Sequence, residues 1–142
     1  MTKVTLNHPT KEANHQYDCE NITVRVYQDS SLACQKIGDE IIDQINQKSA
    51  SKPFVLGLAT GSTPIKIYQH LIQAYKEGKV SFANVHSFNL DEYFPMDPKS
   101  IHSYVEFMHK NFFDHIDIPK ENIHIPDGTI APDEIDHYCK SY

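Results

Sequence analysis

The sequence predicts an α/β protein with a mostly parallel sheet, on two observations. Short β-branched or apolar runs alternate with longer runs of helical spacing, the order of βαβ units. The two loops richest in functional side chains, after Leu58 and after Phe88, each follow a strand candidate directly. Ligands sit outside the carboxyl ends of strands in such sheets. The expected architecture is Rossmann-like and three-layered.

The elements follow in order. Residues 1–20 are polar and patternless, a leader that is loose or packs elsewhere. Asn21-Ile22-Thr23-Val24-Arg25-Val26-Tyr27 alternates as a strand does. Asp29 or Ser30 can cap a helix whose apolar residues include Leu32, Ala33, Ile37, Ile41, Ile42 and Ile45. Phe54–Leu58 is a short buried strand. From Pro64 to about Lys76, Ile65, Tyr68, Leu71, Ile72 and Tyr75 share one helical face, and Gly78 lies just beyond the end. Residues 84–88 form a third strand, 89–100 a loop, and 101–113 another helix. Short apolar pieces follow around Ile116 and at Ile123-His124-Ile125. A last helix starts near 131–134, with Ile135, Tyr138, Cys139 and Tyr142 at i, i+3, i+4 and i+7. That stripe is still running at the last residue, which suggests a cut chain and an incomplete fold.

Composition narrows the class. The chain has 142 residues, 39% of them hydrophobic and 23% charged, which suits one ordered domain. A net charge of −6 argues against nucleic acid or an anionic membrane as the main partner. No apolar run approaches the length of a membrane span. Cys19, Cys34 and Cys139 are scattered and odd in number, which suits reduced thiols and a cytoplasmic location. On their helical stripes, Cys34 and Cys139 are expected to pack in the core.

Two stretches carry chemistry. In Thr60-Gly61-Ser62-Thr63-Pro64, Gly61 permits a positive φ and close backbone approach. Ser62 and Thr63 offer hydroxyls and are N-cap candidates, and Pro64 suits the first helical position. The N–H groups would then face outward at the positive end of the helix dipole, where a phosphate fits. No lysine stands in the turn, so it is not a nucleotide P-loop. A capped strand-to-helix turn that binds nothing has the same residues. The second stretch is Phe88-Asn89-Leu90-Asp91-Glu92-Tyr93-Phe94-Pro95. A carboxylate over a ligand pocket can act as a general base, the more so when partly buried. A solvated acidic turn before Pro95 is the alternative. The nine histidines show no metal-binding spacing, and no metal cluster is expected.

With both loops in view, the sequence resembles the glucosamine-6-phosphate deaminase (isomerase) family. The resemblance runs from about Ile22 to the end. It is carried by LGLATGSTPIKIYQHL, by GKVSFANVHSFNLDEYFP and by SIHSYVEFMHKNFFDHIDIPKENIHIPDG. It implies conversion of glucosamine 6-phosphate and water to fructose 6-phosphate and ammonia, with no redox cofactor and no catalytic metal. It implies Asp91 as the base that moves the C2 proton to C1, with Glu92 beside it in the catalytic motif. It implies Thr60, Gly61, Ser62 and Thr63 as the residues that hold the 6-phosphate. The partner is then a small amino sugar phosphate, and self-association into a homo-oligomer stays open. Related 6-phosphogluconolactonases usually carry Asp-Glu-Arg where this chain has Asp91-Glu92-Tyr93, which weighs against a lactonase. The family's ring-opening Gly-x-Asp-Gly-His-Ile-Ala-Phe-Asn-Glu stretch has no counterpart here. Residues 21–142 are therefore expected to be the N-terminal part of such a domain, and a sugar-phosphate-binding module without catalysis is the other alternative.

Overall fold

The computed structural model describes residues 15–19, 22–48 and 52–142, with 15–19, 22 and 23 described as backbone alone. The polar leader expected over 1–20 thus lies outside the described residues except at 15–19. There His15–Cys19 forms β1, paired antiparallel with β2, Ile22–Val26.

Helix α1, Ser30–Asn46, starts at the expected cap. The Asp29 carboxylate accepts from the N–H groups of Ser31 (2.8 Å) and Leu32 (2.9 Å). Two of the donors that a helix start leaves open are thereby satisfied. Asp29→Ala is expected to lower the unfolding free energy by about 1 kcal/mol, read by urea titration; an unchanged midpoint would mean that α1 does not depend on this cap. Gly38, Ile42 and Ile45 form the buried face of α1. Ile37, expected on the same stripe, is exposed because that face turns past it.

Strand β3, Phe54–Leu58, leads to α2, Ile65–Lys76; β4, Val85–Asn89, leads to α3, Tyr104–Asn111. Helix α2 begins one residue later than expected, with the Pro64 carbonyl accepting from Ile67 (2.9 Å) and Tyr68 (3.0 Å). Helix α3 begins three residues later than expected. Residues 97–103 close on themselves through Ser100 N–H to Asp97 O and Ser103 N–H to Ser100 O, and Ser103 then caps the helix. Ile101, 84% exposed, is outside both helix and core. Strand β5, Ile123–His124, and helix α4, Ile135–Ser141, complete the order.

Strands β3, β4 and β5 form a parallel sheet in that order. Alternation sorts their side chains into two faces. Leu56, Leu58, Val85, Ser87 and Asn89 are buried on the face covered by α1, α2 and α3. The core there is filled by Tyr68, Leu71, Phe82, Met108, Phe112 and Phe113. The opposite face carries Val55, 63% exposed, with Gly57, His86, Phe88 and His124. The imidazole of His124 stacks on Phe88 at 4.3 Å between centroids. Helix α4 reaches this side, where Tyr142 meets Phe88 edge-on. The architecture is a three-layer α/β arrangement with one full outer layer, α1–α3, and a second carried by α4. Helix α4 has no buried residue, and Cys139 is exposed rather than packed, since only Ile135 and Tyr138 turn inward. No helix of the described residues is long and apolar enough to cross a membrane.

Candidate functional site

The first loop is tied down at its root and exposed at its tip. Tyr68 of α2 donates its hydroxyl hydrogen to the Ala59 carbonyl. Burial pushes the Tyr68 phenol up to about 12, against a smaller opposing effect of that bond, so it remains a donor at any ordinary pH. Beyond this anchor Gly61 takes φ 105°, in the left-handed region that glycine enters without strain. Gly61, Ser62 and Thr63 are exposed, and Thr60 is half-buried. Neither Ser62 nor Thr63 caps α2, contrary to expectation; the turn continues through Pro64, which carries no N–H to be capped. The hydroxyls and the turn N–H groups therefore face solvent at the amino end of a twelve-residue helix.

The second loop leaves the sheet at the same end. In the parallel ladder Leu58 pairs with Asn89, so the chains after β3 and β4 emerge side by side. The Asn89 amide group donates toward the Leu58 carbonyl at 3.5 Å and ties the two exits. The Tyr142 hydroxyl lies 2.7 Å from the Asn89 carbonyl and 3.1 Å from that of His124, and donates to this pair. Asp91 follows two residues after Asn89 and is exposed, where partial burial would have suited a base better. Glu92 is half-buried and accepts from Tyr93, Ser103, Tyr104 and Val105. Tyr93 packs against Tyr104, and the hydrogen bond between their phenols pushes Tyr93 up.

The loop then rests on the segment after β5. Met96 N–H donates to the Gly128 carbonyl at 2.8 Å. A Cβ on Gly128 would lie 2.7 Å from the Tyr93 carbonyl oxygen, so only glycine lets the two backbones approach. Asp127 closes this support by accepting from Thr129, which holds its carboxyl below the ordinary value. A cleft of about 260 Å³ lies under the loop, bordered by Glu92, Met96, Val105, Ile125 and Gly128. A wider cleft of about 700 Å³ lies between α1 and the carboxyl half of α2. Its wall mixes Asp39, Asp43 and Glu77 with Lys36, Lys79 and His70, so it selects no charge and holds neither loop.

Thr60–Thr63 and Asp91 thus share one end of the sheet, while the Glu92 carboxylate is turned to the start of α3. Tyr68, Asn89, Gly128 and Tyr142 are support residues that the sequence did not single out. Asn89 had a signal: a short polar side chain of poor strand propensity continues the buried series Val85, Ser87. Its Oδ1 and the Ser87 Oγ are buried without a hydrogen-bond partner among the described residues.

Comparisons with known proteins bear on the family and the fold. Residues 28–142 match the family model described as glucosamine-6-phosphate isomerases/6-phosphogluconolactonase. A glucosamine-6-phosphate deaminase of Yersinia enterocolitica is 52% identical over 104 residues, 72% of this chain and 38% of that protein. A glucosamine-6-phosphate isomerase of Candida albicans is 47% identical over 117 residues, 82% of this chain and 46% of that protein. The solved structure of a monomeric glucosamine-6-phosphate deaminase superposes with a TM-score of 0.74 at 34% identity, covering 82% of this chain and 46% of that one. A 6-phosphogluconolactonase from Plasmodium vivax superposes at 0.69 with 26% identity, covering 89% of this chain and 43% of that one. The chain spans less than half the length of these relatives. With the family model matched over most of its residues, the chain belongs to the family of glucosamine-6-phosphate isomerases and 6-phosphogluconolactonases.

Proposed function

We propose that the protein containing this chain converts glucosamine 6-phosphate and water to fructose 6-phosphate and ammonia. The observation that carries the reading is the Leu58–Asn89 pairing, which sets a phosphate-type turn and a carboxylate loop at one end of the sheet. Its relatives named deaminase or isomerase support the same substrate. Thr60, Gly61, Ser62 and Thr63 hold the 6-phosphate through N–H groups, hydroxyls and the α2 dipole. The phosphate must be drawn by this local site, because the net charge of −6 repels an anion overall. Asp91 takes the C2 proton of the open-chain sugar and returns a proton to C1. Water then supplies the ketone oxygen as ammonia carries off the nitrogen. The chemistry uses no redox cofactor, and a cytoplasmic setting belongs to the same proposal.

A lactonase gains nothing from the site itself, where Tyr93 stands in the Asp-Glu-Tyr triplet. The test is release of ammonia and of fructose 6-phosphate by the whole protein, run beside hydrolysis of 6-phosphogluconolactone. Lactone hydrolysis without ammonia release would overturn the reading. Thr63→Val should raise KM for glucosamine 6-phosphate by about 10–100-fold with kcat within about threefold, since a hydrogen bond to a charged group contributes ~1.5–3 kcal/mol. A fall in kcat at constant KM would take Thr63 out of the phosphate site.

A further inference from the structure

The residue pattern places Glu92 beside Asp91 as a second catalytic carboxylate, and its contacts assign it another task. Glu92 Oε1 accepts from the N–H groups of Tyr93 (2.9 Å) and Tyr104 (3.0 Å). Its Oε2 accepts from the Ser103 hydroxyl (2.8 Å) and the Val105 N–H (3.2 Å). An ionised carboxylate has about four acceptor positions, so these four bonds leave none for a substrate proton. The bonds are charge-assisted, and the first turn of α3 is the positive end of its dipole. We propose that Glu92 is a positioning residue, whose carboxylate pins the loop bearing Asp91 to the amino end of α3 and so fixes where Asp91 stands.

The linkage is continuous from core to loop. Met108 of α3 and Phe112 just beyond it are wholly buried, so the helix is not free to shift. Glu92 joins that helix to the peptide next to Asp91. The strand end at Asn89 holds the loop on one side, and the Met96 bond to Gly128 holds it on the other. Within the span from Leu90 to Phe94, the ties to α3 are the Glu92 carboxylate, which grips its first-turn backbone, and the Tyr93 ring, which packs on Tyr104. Leu90 is 84% exposed and supplies no packing of its own. A displacement of about 1 Å in a reacting group can cost ~10²-fold in rate, so the clamp matters to turnover more than to affinity. This role rests on the deaminase reading for its effect on rate, and on geometry alone for its effect on the loop.

The experiment compares Glu92→Ala, Glu92→Gln and Asp91→Asn in the whole protein. It measures kcat and KM across pH, together with amide hydrogen exchange at Tyr93, Tyr104 and Val105. Glu92→Ala should lower kcat by about 10–100-fold with KM within about threefold, and should speed exchange at Tyr93 and Tyr104 by about tenfold or more, while Val105, which also bonds the Ser103 hydroxyl oxygen at 3.0 Å, should move less. Glu92→Gln, which retains the shape and one acceptor oxygen but turns an NH2 group toward the donors on the other side, should recover part of kcat with a pH profile of wild-type form. It also serves where the alanine variant folds poorly. A glutamine variant as inactive as Asp91→Asn, with amide exchange at Tyr93 and Tyr104 unmoved, would make Glu92 a proton carrier and overturn the proposal. So would unmoved exchange rates, or wild-type kcat with loosened amides in Glu92→Ala. A wild-type protein that releases no ammonia sinks the deaminase reading alone, and the exchange rates then decide the clamp.

Discussion

Asp91→Asn is expected to lower kcat for ammonia release by about 10²–10⁴-fold while KM for glucosamine 6-phosphate stays within about threefold. Asparagine preserves the shape of the side chain and one carbonyl oxygen, so the loop fold and the sugar contacts survive. It cannot accept the C2 proton at neutral pH. The loop is held by Glu92 and by the Met96–Gly128 bond, neither of which involves the Asp91 carboxylate, so the exchange should not disturb its surroundings. Thermal unfolding of the variant should accordingly match the parent. Steady-state kinetics with a coupled fructose 6-phosphate assay reads the loss. Turnover near that of the parent would remove Asp91 from the reaction.

Phe112→Ala should cost about 3–5 kcal/mol of unfolding free energy, a large share of the ~5–15 kcal/mol that holds a domain together. Phe112 is wholly buried, stacks on Tyr68 at 4.9 Å and meets Phe82 edge-on at 5.5 Å. Truncation leaves a cavity against all of these rings. It also loosens Tyr68, whose hydroxyl holds the root of the Thr60–Thr63 turn. The urea midpoint should fall with little change in slope, and Phe112→Leu should recover most of the loss. A loss below about 1 kcal/mol would mean that the α2–α3 stack is not central to the core.

The sequence disclosed what local chemistry decides. Asp29 announced its helix because an acid before an apolar stripe satisfies open N–H groups wherever it stands. Phe54–Leu58 was readable because buried strands are short and apolar. The failures came where a distant partner decides. Tyr104 starts α3 because residues 97–103 close a tight turn and Glu92, a dozen residues earlier, occupies the first-turn donors. His15–Cys19 is a strand only by pairing with β2, and its polar sequence shows no period of its own. Asp91 and Glu92 look alike in the chain, and only the fold separates an exposed carboxylate from one bound to a helix start. The turn after β3 was legible at Gly61, where φ demands glycine, but not in its hydroxyls, whose capping role depended on where α2 began.

The β3–β4 ladder also acts as a length standard. Adjacent strands stand about 4.8 Å apart and each residue advances about 3.3 Å. A slip of one residue would turn Leu56 and Leu58 out to solvent, so the apolar alternation forbids it. A slip of two would keep the faces but carry Asp91 about 7 Å along the strand axis relative to the Thr60–Thr63 turn, further than a hydrogen bond spans. The spacing between the Thr60–Thr63 turn and the Asp91 loop is thus written in the greasy beat of two five-residue strands, and a substitution that blurs that beat shifts the two loops from inside the sheet.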